Sequence, residues 1–285
     1  MNTQMAGKTC IVTGATNGIG EMTAQVLANM GATVVGVGRN RAKCSETATR
    51  IKAATGNQAV EFLIADLSVQ AQVRKLADEI KSKYARIDVL VNNAGGYFAT
   101  RQMTSEGIEM TWALNHLNYF LLTDLLLDVI KKSAPARIVN VSSGAHVGAR
   151  GINFDDTGFA GKYSGWSTYS HSKLANVLFT VELSRRLEGT GVTANALHPG
   201  FVATGFGANN SGVMRVGMKI MQRIMARSPE KGAETSIYLA SSPEVEGVTG
   251  KYFDNKRAVT SSAAAQDADA AKRLWALSKE QTKMK

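Results

Sequence analysis

The stretch Tyr169-Ser170-His171-Ser172-Lys173 carries two side chains able to exchange a proton, and a four-residue step along a helix puts Tyr169 and Lys173 on one face. A phenol in water has a pKa of about 10, so it needs a nearby cation to work near neutrality, and Lys173 supplies that field. Ser143, at the end of a strand expected over Ile138–Ser143, is placed to hydrogen-bond a substrate oxygen in the same cleft. Asn115, in the long helix before that strand, is placed to hold a water that returns protons to Lys173. A Tyr-x-x-x-Lys pair alone is weak evidence, because surface helices contain many by chance. Its weight comes from other motifs that accompany it in a fixed order.

Those motifs form a cofactor end. Thr13-Gly14-Ala15-Thr16-Asn17-Gly18-Ile19-Gly20 follows the first strand and opens a helix. Gly14 permits a tight turn, Gly18 lets backbone approach a phosphate and Gly20 lets the helix pack near the strand. With Thr16, Asn17 and Ile19 in the same loop, a pyrophosphate can meet the helix N-terminus. An ordinary strand-to-helix turn can also carry three glycines. The second strand ends at Val37-Gly38-Arg39, where an NAD-binding protein commonly places a carboxylate for the ribose 2′-hydroxyl. Arg39 cannot accept that hydrogen bond, but with Arg41 and Lys43 it can neutralise a 2′-phosphate, which favours NADP(H). The plain alternative is a solvated charge cluster at a helix start.

Asp66 and Leu67 follow the third strand, and Asn92-Asn93-Ala94-Gly95 follow the fourth. Both lie at carboxyl ends of strands, where open α/β sheets bind ligands. Asp66 suits an adenine amino group and, equally, the cap of a helix beginning near Val69. Asn93 and Gly95 suit the middle of the cofactor, while an Asn pair can instead satisfy neighbouring backbone groups.

Positioning these groups requires strands and helices in alternation, and the chain has them. Short apolar runs at Thr9–Val12, Thr33–Val37, Val60–Ile64, Val89–Asn92, Arg137–Val141, Val192–Leu197 and Lys251–Phe253 read as strands buried on both faces. Between them Met22–Met30, Gln70–Tyr84, Glu106–Lys132 and Thr168–Leu187 repeat apolar residues at helical spacing. The expected fold is α/β, a single doubly wound Rossmann-type domain over 1–285 with a mainly parallel seven-stranded sheet and helices on both faces. Residues 1–142 form its cofactor half and 143–285 its catalytic and substrate half. Gly144–Gly165 and Gly205–Pro229 break the rhythm.

The net charge of +10, from 33 Lys+Arg against 23 Asp+Glu, is spread along the chain without a basic and aromatic strip, which argues against nucleic acid. Cys10 and Cys44 lack metal-type partners, and the four histidines show no metal spacing, so no metal and no disulfide framework is expected. No catalytic role is assigned to His116, His146, His171 or His198. Apolar runs fall short of the roughly 20 residues that a membrane span needs. A polar N-terminus leaves no room for a signal peptide, and the expected location is cytoplasmic.

Thr13–Gly20, Asn92–Gly95, Asn115, Ser143, Tyr169 and Lys173 stand in the order of the short-chain dehydrogenase/reductase family, which the chain resembles over essentially its whole length. His171–Thr180, Leu197-His198-Pro199-Gly200, Gly247–Phe253, the tail with Arg273-Leu274-Trp275 and the 26-residue step from Ser143 to Tyr169 resemble the retinol dehydrogenase branch. The resemblance implies that NADPH gives hydride to a carbonyl carbon, Tyr169 protonates the oxygen and Ser143 polarises it. Lys173 then binds the nicotinamide ribose and lowers the tyrosine's pKa, and oxidation reverses these roles. Pro199, Gly200, Val202 and Thr204 would hold the carboxamide end of the nicotinamide, Val202 through backbone and Thr204 through its hydroxyl.

Animal members of that branch usually carry an N-terminal membrane anchor, and none is expected here, so the implied substrate widens from retinoids to other hydrophobic aldehydes, ketones or alcohols. Four methionines and three cations in 214–225 suit a lid over 205–229, a peripheral contact with an anionic membrane, or plain core packing. The helix Thr168–Leu187 offers a dimer face that Gly144–Gly165 would obstruct, which leaves monomer and homodimer both open.

Overall fold

The computed structural model describes residues 3–200 and 228–284. Eight strands form one sheet: β1 (Thr9–Thr13), β2 (Thr33–Gly38), β3 (Val60–Ile64), β4 (Val89–Asn92), β5 (Ala136–Val141), β6 (Val192–His198), β7 (Tyr252–Asp254) and β8 (Arg257–Val259). Their order is β3-β2-β1-β4-β5-β6-β7-β8, parallel from β3 to β7. The chain reverses direction between β1 and β4, so a crevice opens at the carboxyl ends of these two strands.

The sheet has one strand more than the expected seven. β8 pairs antiparallel with β7 through Asp254↔Arg257. The two residues between them, Asn255 and Lys256, have φ of 49° and 63°, the left-handed pair that a tight hairpin turn uses. All three β8 residues are exposed, so the strand has no apolar alternation to reveal it.

Helices cover both faces. α1 (Gly18–Asn29), α2 (Arg41–Thr55) and α7 (Pro229–Ser241) enclose one core through Leu27, Ile51 and Leu239. On the other face α3 (Gln70–Lys83), α5 (Asn118–Lys132), α6 (Gly165–Arg186) and α8 (Ala268–Gln281) pack through Leu76, Phe120, Phe179 and Trp275. α6 is buried around most of its circumference, from Thr168 to Leu183. Its rotation is fixed by a polar ladder inside the core. Asn92 Nδ2 donates to Thr123 Oγ1 and to Asn140 Oδ1, and Asn140 Nδ2 donates to Thr180 Oγ1, each at 2.9 Å. The ladder ties α6 and α5 to β4 and β5.

The helix expected over Glu106–Lys132 begins later. Glu109 caps a first turn, α4 (Met110–Trp112), through a 2.7 Å bond from Trp112 N to its Oε2, and a π-helical turn at Ala113–Leu117 leads into α5. Asn115 sits in that π turn, where the wider ring re-aims side chains. Glu106 lies outside the helix and caps α3 instead, its carboxylate accepting from Gln70 N (2.7 Å) and Ala71 N (3.0 Å). Replacing Glu106 with Ala is expected to cost about 1 kcal/mol. Thermal denaturation should show it as a Tm lower by about 2 °C, and an unchanged Tm would remove the capping role. No helix among the described residues is long and apolar enough to cross a membrane.

Candidate active site

A cavity of about 870 Å³ runs along the carboxyl ends of the strands, from Arg39 and Lys43 at one end to Val147, Trp166 and Tyr169 at the other. Its walls are the strand-to-helix connections, joined on the substrate side by Met110, Leu114, Trp166, Tyr169 and Lys173 from helical turns.

β5 stops at Val141, where the run Arg137–Val141 ends, so Ser143 lies two residues beyond the strand rather than at its end. Ser142 then turns inward, its Oγ donating to Lys173 O (2.7 Å), and its N donates to Leu197 O (2.8 Å). Ser143 starts a 3₁₀ turn at Gly144–Gly148, its Oγ accepting from Ala145 N (3.1 Å). From this position Ser143 hydrogen-bonds Tyr169. Lys173, one turn further along α6, donates from Nζ to Val141 O (3.1 Å), with Nζ 5.7 Å from the centre of the Tyr169 ring.

Both groups are withdrawn from water, Tyr169 to 8% and Lys173 to 4% exposure. Burial pushes the Tyr169 phenol up to about 12, partly offset by the Ser143 bond, and pulls the Lys173 ammonium down to about 7. Near neutrality Tyr169 therefore keeps its proton, while Lys173 sits at the balance point between charged and neutral.

Asn115 is held differently from the water-binding pose expected of its side chain. Its Oδ1 accepts from Gly96 N (2.8 Å), and its Nδ2 donates to Gly96 O (3.0 Å) and Ser172 Oγ (3.0 Å). Asn115 thus clamps the loop after β4 to α6, immediately between Tyr169 and Lys173 in sequence.

At the other end, the loop after β1 is tightly constrained. Gly14 has φ +66°, and a β-carbon on Gly20 would meet the Gly14 carbonyl and lie 2.5 Å from Asn93 Nδ2. Asn93 Nδ2 donates to Thr13 O (2.8 Å), and Thr13 Oγ1 accepts from Asn93 N (2.9 Å) and Ala94 N (3.0 Å), so Asn93, the second of the pair, satisfies backbone and fixes the loop. Gly95 lies beside Asn115 and Lys173.

The N-cap residue of α1, Asn17, makes no capping bond with its side chain, so the first amides of α1 point into the cavity without that partner. Uncapped helix amides, a glycine cradle and the two cations Arg39 and Lys43 along one cavity fit a phosphorylated dinucleotide. Thr16, Asn17, Ile19 and Leu67 line the same wall.

Asp66 also lines the wall, but its Oδ1 accepts from Ser68 N (3.0 Å) and Ser68 Oγ (2.7 Å). The capping of α3 considered for Asp66 belongs to Glu106. Pro199 and Gly200 reach the cavity after β6, whereas Val202, Thr204, the methionine-rich stretch 214–225 and residues 205–227 of the expected lid lie outside the described residues.

Sequence reasoning did not single out Ser142, His198, Val147 or Trp166, which also line the cavity. Val147 and Trp166 are 66% and 57% exposed. Two large apolar side chains left in water beside a cavity are a signal visible only after folding.

A family model described as short chain dehydrogenase matches residues 8–213. The chain is 43% identical to human retinol dehydrogenase 13 over 95% of its own length and 83% of the relative's. It is 40% identical to human polyprenol dehydrogenase over 96% and 85% of the two chains. Among solved structures, the RhlG/NADP active-site complex of Pseudomonas aeruginosa superposes with a TM-score of 0.70 at 28% identity, covering 89% of this chain and 96% of that one. With the fold, the crevice and these likenesses together, the chain belongs to the short-chain dehydrogenase family of oxidoreductases, in its retinol dehydrogenase branch.

Proposed function

We propose that this oxidoreductase uses NADP(H) to reduce a hydrophobic aldehyde or ketone, or to oxidise the matching alcohol, with Tyr169 as general acid and base. The observation that carries the reading is the buried Tyr169–Lys173 pair, with Ser143 bonded to Tyr169, in a cavity whose far end holds Arg39 and Lys43. When bound, the nicotinamide supplies or accepts the hydride.

The chain's own residues do the rest. The α1 amides and the glycine loop bind the pyrophosphate, and Arg39 and Lys43 neutralise the 2′-phosphate. Ser143 and Tyr169 bind the substrate oxygen. In reduction Tyr169 passes its proton to that oxygen, and in oxidation it takes the proton back. Lys173 stabilises the phenolate left behind, and Asn115 holds the loop after β4 against α6. Tyr169 holds its proton near neutrality, the form that acts as the acid in reduction.

Met110, Leu114, Val147 and Trp166 give the substrate end an apolar lining. The human relatives are named for retinol and polyprenol, both apolar alcohols. NADPH oxidation measured against a panel of retinoid, aliphatic, aromatic and steroid carbonyls tests the assignment, and no turnover across the panel would overturn it. Arg39→Asp is expected to shrink the preference for NADPH over NADH by about 30-fold, equivalent to about 2 kcal/mol. Affinity titrations with both cofactors check this, and an unchanged preference would remove Arg39 from the site.

A further inference from the structure

Two imidazoles with no part in the chemistry above hold one peptide unit between them. His146 Nε2 accepts from Ser262 N (3.2 Å), so the ring's proton is on Nδ1, and Nδ1 donates to Ser143 O (2.8 Å). Gly144 N donates to His198 Nδ1 (3.0 Å), from the opposite side. The Ser143 carbonyl and the Gly144 amide belong to the same planar peptide group. That plane is gripped at both polar ends, and its carbonyl belongs to the residue whose side chain bonds Tyr169.

We propose that His146 and His198, both as uncharged rings, are positioning residues that grip the Ser143–Gly144 peptide and thereby aim Ser143 at the substrate oxygen. The inference rests on the role given to Ser143 above. Each grip needs a lone pair on a ring nitrogen. A proton on His198 Nδ1 would face the Gly144 amide donor to donor, and a proton on His146 Nε2 would face the Ser262 amide in the same way.

His146 is buried at 2% exposure, its ring 4.7 Å from that of Tyr252, and burial holds its pKa below the usual imidazole range. His198 is half-buried and lines the cavity. The ionisable groups around the turn are Tyr169 and Lys173 on α6, Tyr252 and Asp254 on β7, and Arg257, which pairs with Asp254 from β8. A ring whose neutral form is the one used keeps its bond above its folded pKa and loses it as the pH falls through that value. The grip, and with it Ser143, is therefore lost on the acid side.

Nuclear magnetic resonance of the uniformly ¹⁵N-labelled full chain tests this directly, since there are only four histidine rings to assign and the Gly144 amide is read in the same sample. Near pH 7.5 the expected tautomers are Nδ1-protonated His146 and Nε2-protonated His198, and the Gly144 amide signal should move as His198 titrates. In His198→Asn, whose Oδ1 takes the place of Nδ1, the Gly144 signal should stay flat over the same range. A proton on His198 Nδ1 near pH 7.5, or a Gly144 amide indifferent to His198, would overturn the proposal.

With NADPH and all-trans-retinal, His198→Leu is expected to lower kcat about tenfold through loss of one hydrogen bond, with little change in KM. His198→Asn should restore most of that loss and carry the acid limb of kcat to lower pH. An acid limb that stays in place would also count against the aiming of Ser143. Absence of retinal turnover in the unaltered protein would fall on the functional reading, and the resonance result would still decide the grip.

Discussion

Tyr169→Phe is expected to lower kcat by about 10²–10⁴-fold while NADPH still binds. The substitution removes one oxygen and keeps a ring that packs edge-on to Tyr97 at 6.0 Å and against Trp166 at 6.2 Å. Lys173 keeps its bond to the Val141 carbonyl, so the cavity wall stays in place. What disappears is the proton that Tyr169 carries near neutrality, and no other described side chain is bonded to Ser143 from α6 in the same way. Single-turnover kinetics with a carbonyl identified in the panel, beside a fluorescence titration of NADPH, separate the two effects. Unchanged turnover would sink the assignment of Tyr169, and loss of NADPH binding would mean that the phenol holds the cofactor rather than the reaction.

Gly20→Val is expected to weaken NADPH binding by at least about 100-fold, equivalent to about 2.7 kcal/mol. The first β-carbon already conflicts with the Gly14 carbonyl and with Asn93 Nδ2, which itself holds Thr13 O. The three parts of the cradle are thus fastened to one another, and relief of the clash must move α1 away from the sheet end. Moving α1 withdraws the amides that face the pyrophosphate. Gly56→Ala is the control, since Gly56 has the left-handed φ of 72° but no atom within 4 Å of a β-carbon. It should lower stability modestly and leave cofactor binding alone. Calorimetric titration and circular dichroism of both variants check the pair, and near-normal NADPH affinity in Gly20→Val would show that the loop has slack the geometry denies.

The parallel strands and the glycine loop were legible because burial on both faces and a phosphate-sized turn each leave a local pattern of residue types. Arg39 was legible as a cation at the end of β2, and it lines the cavity there. Elements defined by long-range partners left no such pattern. Glu106 looks like the first turn of its own helix, yet its carboxylate serves a helix 35 and 36 residues earlier. Asp66 reads as a helix cap, but Ser68 takes its carboxylate. Asn115 sits in a helical pattern whose π turn comes from tertiary packing rather than propensity. β8 is too short and too exposed for periodicity to register. His198 falls in a quoted motif, but its use depends on an amide 54 residues away.

Asn92, Asn140, Thr123 and Thr180 are joined by three hydrogen bonds, and all four are at most 1% exposed. Sliding α6 by a single residue would swing its side chains by about 100° and carry Thr180 away from Asn140 Nδ2, leaving that buried donor without its partner. The helix thus has one permitted seat, chosen deep in the interior and indifferent to what enters the cavity. Val147 and Trp166 at the mouth take no part in that seating. Selection, natural or in the laboratory, is free to recut the mouth for a bulkier or slimmer guest while the proton-handling pair stays where it is, so substrate range and chemistry can be inherited as separate traits.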